Sequence, residues 1–266
     1  MINFYDAHNH LQDDRFGGRQ KELIAACEKS GVGRMVVNGT CEGDWPQVLA
    51  LAQENKIVLP SFGYHPWYLV ARTPGWLKKI EKFLDAIPSA VGEIGLDRWK
   101  PDLAYAGQEE VFLAQLRLAA VRDLPVTIHC LQAWGRMHEL LRDHPRPTCG
   151  FVLHSFGGPP EMIPALAKLG AYFSFPGYFL NDRKGRQRET FRQVPTDRLL
   201  IETDAPDQPL PSGQNLFPLA AATGQALNHP ANLAAIYAGL ADFFGEQTES
   251  LATRVAENFQ RLFGFL

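Results

Sequence analysis

The stretch FYDAHNHL, Phe4–Leu11, decides the architecture. The aromatic and β-branched run INFYDAH (2–8) reads as the first strand of a sheet. An open doubly wound sheet would carry a glycine-rich phosphate loop after that strand. Here the place is taken by His8, Asn9 and His10. Side chains alternate along a strand, so the two histidines point one way and Asn9 the other. Two imidazoles on one face can reach a single ion at about 2.0–2.1 Å.

Runs of the same kind recur outward along the chain: RMVVNG (34–39), IVLPSFGYH (57–65), AVGEIGL (90–96), PVTIHC (125–130), GFVLHSF (150–156), AYFSF (171–175) and RLLIETD (198–204). Their spacing is that of repeated strand–helix units. The segments 19–30, 44–54, 76–86, 108–123, 133–143 and 160–169 read as helices. In 108–123 the apolar Val111, Leu113, Leu116, Leu118, Ala119 and Val121 predict a broad buried face. A proline-rich loop over 205–219 forbids regular helix, and two last helices are expected near 231–243 and 248–262. The expectation is an α/β fold, a (β/α)8 TIM barrel forming one domain over 1–266.

With 266 residues, 45% of them hydrophobic, the chain can bury a large single core. A formal net charge of -3 argues against a broad basic surface clamping duplex DNA. The cysteines Cys27, Cys41, Cys130 and Cys149 form no CxxC pair and suggest no disulfide framework. No basic region precedes a long apolar stretch at the N-terminus, so no signal peptide is expected. No apolar run of about 18 residues suggests a membrane span, and a reducing cytoplasm is the expected compartment.

In a barrel the C-terminal strand ends converge on one face, where the following loops build the site. The pair His8/His10, His65, Glu93, Asp97, His129, His154 and Asp204 all fall at such ends. Each histidine alone could be a hydrogen-bonded core residue; together they read as ligands. Glu93 follows Val91 and Gly92, and burying its charge calls for a cation. Its two oxygens can bridge two ions. Asp204 can ligate an ion and accept a proton from a water, which makes Asp204 and Glu93 the catalytic candidates. His65 is assigned to substrate, because the other groups suffice for two ions. Glu202 is given a structural role. Trp67, Tyr68, Trp99 and Phe156 fall in the loops, where they pack the rim or stack a base.

The order HxH, GYHP, GEIGLD, VTIHC, LHSFGG, RLLIETDAP resembles the TatD family of metal-dependent hydrolases, from Asp6 through AENFQRLFG. The resemblance implies a TIM barrel with one or two divalent ions and hydrolysis of phosphodiesters, usually in DNA; the mixed histidine and carboxylate shell suits zinc, magnesium or manganese. It places His8, His10, Glu93 and Asp204 on one ion, Glu93, His129 and His154 on the second, and His65 on the substrate phosphate. Three places depart from the pattern. Leu131 stands where IHxR has arginine. LNHP (227–230) stands for RNEP, with Leu227 and His229 in place of arginine and glutamate. Arg98 precedes Trp99 where an aromatic pair follows GLD. Arg98 is the substrate-binding residue that would replace one missing arginine. Metal-dependent hydrolysis is thus better supported than the nuclease substrate. Hydrolysis of a carboxylic ester, lactone or amide is the first alternative, and a non-catalytic metal-binding or interaction protein the remote one. DNA or another small phosphodiester is the expected partner, with no membrane and no protein partner predicted.

Overall fold

The computed structural model describes residues 2–103 and 105–264, so Met1, Ala104, Phe265 and Leu266 of the expected 1–266 domain lie outside the described residues. Eight strands pair in sequence order: β1 (Phe4–Asn9), β2 (Val32–Asn38), β3 (Val58–Phe62), β4 (Ala90–Asp97), β5 (Val126–Leu131), β6 (Phe151–Leu153), β7 (Ala171–Pro176) and β8 (Leu199–Glu202). Every pairing along this sheet is parallel. The sheet curls until β8 returns to β1. Asp204 N donates to His8 O at 2.9 Å and His10 N to Ala205 O at 2.7 Å. Buried Asp6 fastens the seam, accepting from Thr203 N at 3.0 Å and Thr203 Oγ1 at 2.6 Å. This is the expected (β/α)8 barrel.

The strands are legible because parallel strands are covered on both faces and so read as apolar runs. All of AVGEIGLD in β4 is buried. Helices α1 (Gln20–Lys29), α2 (Trp45–Glu54), α3 (Trp76–Ala86), α4 (Tyr105–Arg122), α5 (Trp134–Asp143), α6 (Ile163–Lys168) and α7 (Gly185–Thr190) follow β1 to β7 in turn. After β8 come α8 (Leu233–Phe244) and α9 (Thr248–Phe263), with a small hairpin before them, β9 (Leu219–Ala220) and β10 (Ala226–Leu227). Their apolar faces close the core over the sheet; burying one such side chain is worth about 1.5–3 kcal/mol. No helix among the described residues is long and apolar enough to cross a membrane.

Two local expectations are corrected. The inward face of α4 is Gln108, Val111, Phe112, Gln115, Leu116 and Ala119, while Val121 is 81% exposed. The two glutamines brace strand ends. Gln115 Oε1 accepts from Tyr64 N at 2.7 Å. Gln108 Oε1 accepts from Asp97 N at 2.7 Å, and its Nε2 donates to Asp97 O at 3.0 Å. The proline-rich loop holds no regular helix, as expected, and runs into the β9–β10 hairpin at Leu219; the unexpected element is α7, which arises from the polar segment GRQRET. At the heart of β4, a Cβ on Gly95 would meet His129 O at 2.0 Å, so only glycine lets β4 and β5 approach there.

Candidate metal centre

The barrel brings His8, His10, His65, Glu93, His129, His154 and Asp204 into one buried cluster at its C-terminal mouth. Glu93 is its hub. One oxygen, Oε2, lies 3.5 Å from His8 Nε2 and 3.2 Å from His10 Nε2. The other, Oε1, lies 3.1 Å from His129 Nδ1, 2.9 Å from His154 Nε2 and 3.4 Å from His65 Nε2. Asp204 Oδ1 joins the first group, 3.5 Å from His8 Nε2 and 3.8 Å from His10 Nε2. His8 stacks on His154 with ring centroids 4.0 Å apart. Donors bound at about 2.1 Å to one ion stand about 3.0–3.4 Å apart along a polyhedron edge. The observed spacings match that, and the imidazole and carboxylate donors suit a divalent ion.

Local backbone chemistry aims these groups. Asp204 sits in the left-handed region at φ 53°, which turns the chain sharply after β8. A non-glycine residue pays about 1 kcal/mol for that conformation. The turn is held by Asp207 N donating to Asp204 O at 2.8 Å. Gln208 Nε2 holds Asp204 Oδ2 at 2.5 Å, leaving Oδ1 for the cluster.

The outer ring nitrogens settle which atoms face inward. His10 Nδ1 donates to Asn38 O at 2.8 Å, so Nε2 is the nitrogen that faces the cluster and offers a lone pair once its proton is displaced. His129 does the reverse: Nε2 donates to Asp97 Oδ2 at 3.1 Å and Nδ1 turns inward. Behind His154, Glu202 Oε1 lies 3.6 Å from Nδ1. Ser155 and Ser174 hydroxyls in turn donate to Glu202. Such carboxylates orient ligating histidines and raise their basicity. His8 Nδ1 faces the Asn38 side-chain amide at 3.1 Å, while Asn38 Oδ1 is buried without a partner. The same amide nitrogen also donates to Val36 O at 3.3 Å, which fixes Asn38 behind His8. His65 differs from the rest. Its Nδ1 accepts from Trp67 N at 3.2 Å, so the neutral ring carries its proton on Nε2, pointing at Glu93.

Charge is distributed unevenly. Burial, seconded by the charge of His154, lowers His8 to about 3, and burial lowers His65 to about 4. Both are neutral near pH 7. Burial also works against His10, but the bond and charge of Glu93 with the charge of Asp204 raise it to about 9. His129 and His154 are raised too: burial is outweighed by Asp97 and Glu93 in the first case and by Glu93 and Glu202 in the second. Burial would raise Glu93, yet the surrounding imidazoles hold it well below the usual carboxylate range. Burial pushes Asp204 up to about 7 against the pull of His154 and His10.

The remaining expected residues sit elsewhere. Arg98 is exposed just beyond β4, its guanidinium 3.9 Å above the Tyr105 ring rather than in the cluster. His138 and His144 are half-buried on and just after α5. His229 caps a short turn, accepting from Ala231 N at 3.0 Å. Phe156 is buried against Trp134 and Phe173. Asn38 is the supporting side chain that the sequence reading left unmentioned; Asp97 was noted there without a role, and Glu202 was given a structural one. The one signal for Asp97 and Glu202 was their place at strand ends.

Asp97 gives a direct test. Besides His129, it accepts from Trp67 Nε1 at 2.6 Å and Trp99 N at 2.7 Å. Asp97→Ala is expected to weaken ion binding about 10–100-fold, the usual loss when a ligating histidine is deprived of its carboxylate. Competition titration against a chelating dye measures it; unchanged affinity would show that His129 needs no such support.

Comparison with known proteins follows this geometry. The family model for TatD related DNases matches residues 5–264. The uncharacterized metal-dependent hydrolase YjjV of Escherichia coli is 30% identical over 99% of this chain and 98% of its own. A protein of Citrobacter koseri named 3'-5' ssDNA/RNA exonuclease TatD is 32% identical, with 98% of each chain covered. The crystal structure of YjjV superposes with a TM-score of 0.88 at 29% identity, covering 98% of both chains.

Proposed function

Because this chain belongs to the family of TatD-related DNases and is a metal-dependent hydrolase, we propose that it cleaves phosphodiester bonds in single-stranded nucleic acid. The observation that carries the hydrolytic chemistry is Glu93, whose two oxygens face two separate sets of histidines. His8, His10, Glu93 and Asp204 would hold one divalent ion, and Glu93, His129 and His154 the second. The imidazoles favour zinc or another transition metal over magnesium. Bound there, such ions supply positive charge to a phosphoryl group and bring the ionisation of water near neutral pH.

The chain's own groups do the rest. Asp204 Oδ1 takes the proton of the attacking water. Its burial sets it near 7, where a carboxyl exchanges protons readily, and a cation alongside draws that value down. His65, neutral and protonated on Nε2, donates to a phosphoryl oxygen. Glu93 keeps the two halves of the site at fixed separation. The relatives named as exonucleases of single-stranded DNA and RNA support this substrate class. The free cysteines fit a reducing, cytoplasmic setting.

A carboxylic ester, lactone or amide is the second reading. It is favoured by Leu131, an apolar side chain 36% exposed where the resemblance leads one to expect arginine. The test is a panel of single-stranded and duplex oligonucleotides, lactones and acyl esters, given to protein loaded with zinc, manganese or magnesium. The expected result is cleavage of single strands, lost in EDTA and restored by the ion. Lactone hydrolysis without oligonucleotide cleavage would move the substrate to the second class. Ion uptake without any turnover would overturn both.

A further inference from the structure

The exposed large aromatic side chains among the described residues are Trp67, Tyr68 and Trp99, at 36, 42 and 58%, and all stand on the loops after β3 and β4. That concentration is informative, because an aromatic ring left in water at a site mouth forgoes burial that the core could have given it. Leu131 extends the patch. It pairs with Asp97 in the β4–β5 register, and Arg98 N donates to its carbonyl at 2.9 Å. The cations Arg98 and Lys100 lie on the same loop, exposed, and make no ion pair among the described residues. Lys100 Nζ stands 4.4 Å over the Trp67 ring and covers that face, so the ring open to a base is that of Trp99. One carboxylate ties the patch to the centre: Asp97 Oδ2 accepts from Trp67 Nε1 at 2.6 Å and from His129 Nε2 at 3.1 Å.

We propose that Trp99, with Leu131 and flanked by Arg98 and Lys100, forms a stacking shelf that seats a terminal nucleobase of a single strand beside the scissile phosphate. The proposal rests on the phosphodiester reading above and names how the strand is gripped. Aromatic faces accept any base, with stacking worth about 1–3 kcal/mol each, and the two cations suit the neighbouring phosphates. A base must be unstacked to be received this way, which selects single strands over duplex. The shelf also accounts for Leu131: at this position the chain holds the base by its face instead of holding a phosphate by a guanidinium.

The metal-loaded enzyme is assayed on two oligonucleotides, one of ordinary sequence and one with abasic tetrahydrofuran residues at both ends. The wild type is expected to show a KM roughly tenfold lower for the ordinary strand, the effect of one stacked base. Trp99→Ala is expected to raise KM for that strand by about the same factor, to leave kcat within about twofold, and to erase the difference between the strands. Trp99 is the most exposed of the three rings, so its loss leaves the core intact. Equal effects of Trp99→Ala on both strands, or none on either, would overturn the shelf while leaving the hydrolytic site standing. A loaded wild type that cleaves neither strand but opens a lactone would overturn the phosphodiester reading itself, and the shelf with it.

Discussion

Replacing Glu93 by glutamine is expected to lower kcat/KM at least about 1000-fold, which corresponds to about 4 kcal/mol of lost transition-state stabilisation. Glu93 is the carboxylate whose oxygens reach both sets of histidines, one set at each oxygen. Glutamine keeps the shape but presents a neutral carbonyl to one side and an NH2, with no lone pair to give, to the other. Ion content measured on the purified variant should therefore fall with turnover. A second signature is protonic. Glu93 is the main partner that lifts His10 to about 9 against burial, so ion binding near pH 7 must displace a proton from His10. Without Glu93, only the charge of Asp204 and the Asn38 carbonyl oppose burial, so His10 is lowered and that proton release shrinks. Calorimetry in two buffers of different ionisation heat reads it directly. Full ion content with near wild-type turnover would remove Glu93 from the centre of the chemistry.

The barrel was legible because each strand is a short apolar run with its chemistry at the C-terminal end. His8, His129, His154 and Asp204 could be read by that one rule, and His65 by its place after β3. Glu93 was expected at a strand end but lies inside β4, four residues before Asp97, and was legible only as a carboxylate in an apolar run. What the rule misses is whatever faces those residues from a distance in sequence. Asn38 backs His8 and His10 from the neighbouring strand, 30 and 28 residues away. Glu202 shares its strand end with Asp204, yet its partners are Ser155 and Ser174, known only once β6, β7 and β8 lie side by side. The face of α4 was misplaced for a related reason. Leu113, Leu118 and Val121 are apolar, but buried Gln108 and Gln115 occupy the inward face because strand ends at Asp97 and Tyr64 need partners for their backbone groups. Polar residues in a buried stripe weaken the hydrophobic period that a sequence reading relies on. The hairpin of β9 and β10 has two residues per strand, too few to show alternation.

Asp204→Asn is expected to separate the proton-transfer step from ion binding. General-base assistance contributes about 100- to 10,000-fold, and kcat should fall within that range. Asparagine fills the same volume and keeps Oδ1 as a neutral oxygen facing His8 and His10, so the turn after β8 is preserved. The second set, Glu93, His129 and His154, does not include Asp204 at all. At least that part of the bound metal should survive, which distinguishes this variant from Glu93→Gln. The pH dependence supplies the sign. Burial raises Asp204 to about 7, and a neighbouring cation lowers it; in either case the carboxylate form is the base, so wild-type activity rises with pH through that ionisation. An asparagine cannot ionise, and the acidic limb of the kcat profile assigned to Asp204 should flatten. With Oδ1 kept toward the cluster, the new Nδ2 would meet Gln208 Nε2 donor to donor, so Gln208 must turn its amide to present Oε1 there. Retention of kcat with an unchanged acidic limb would transfer the general-base role away from Asp204 and leave it as an ion ligand alone.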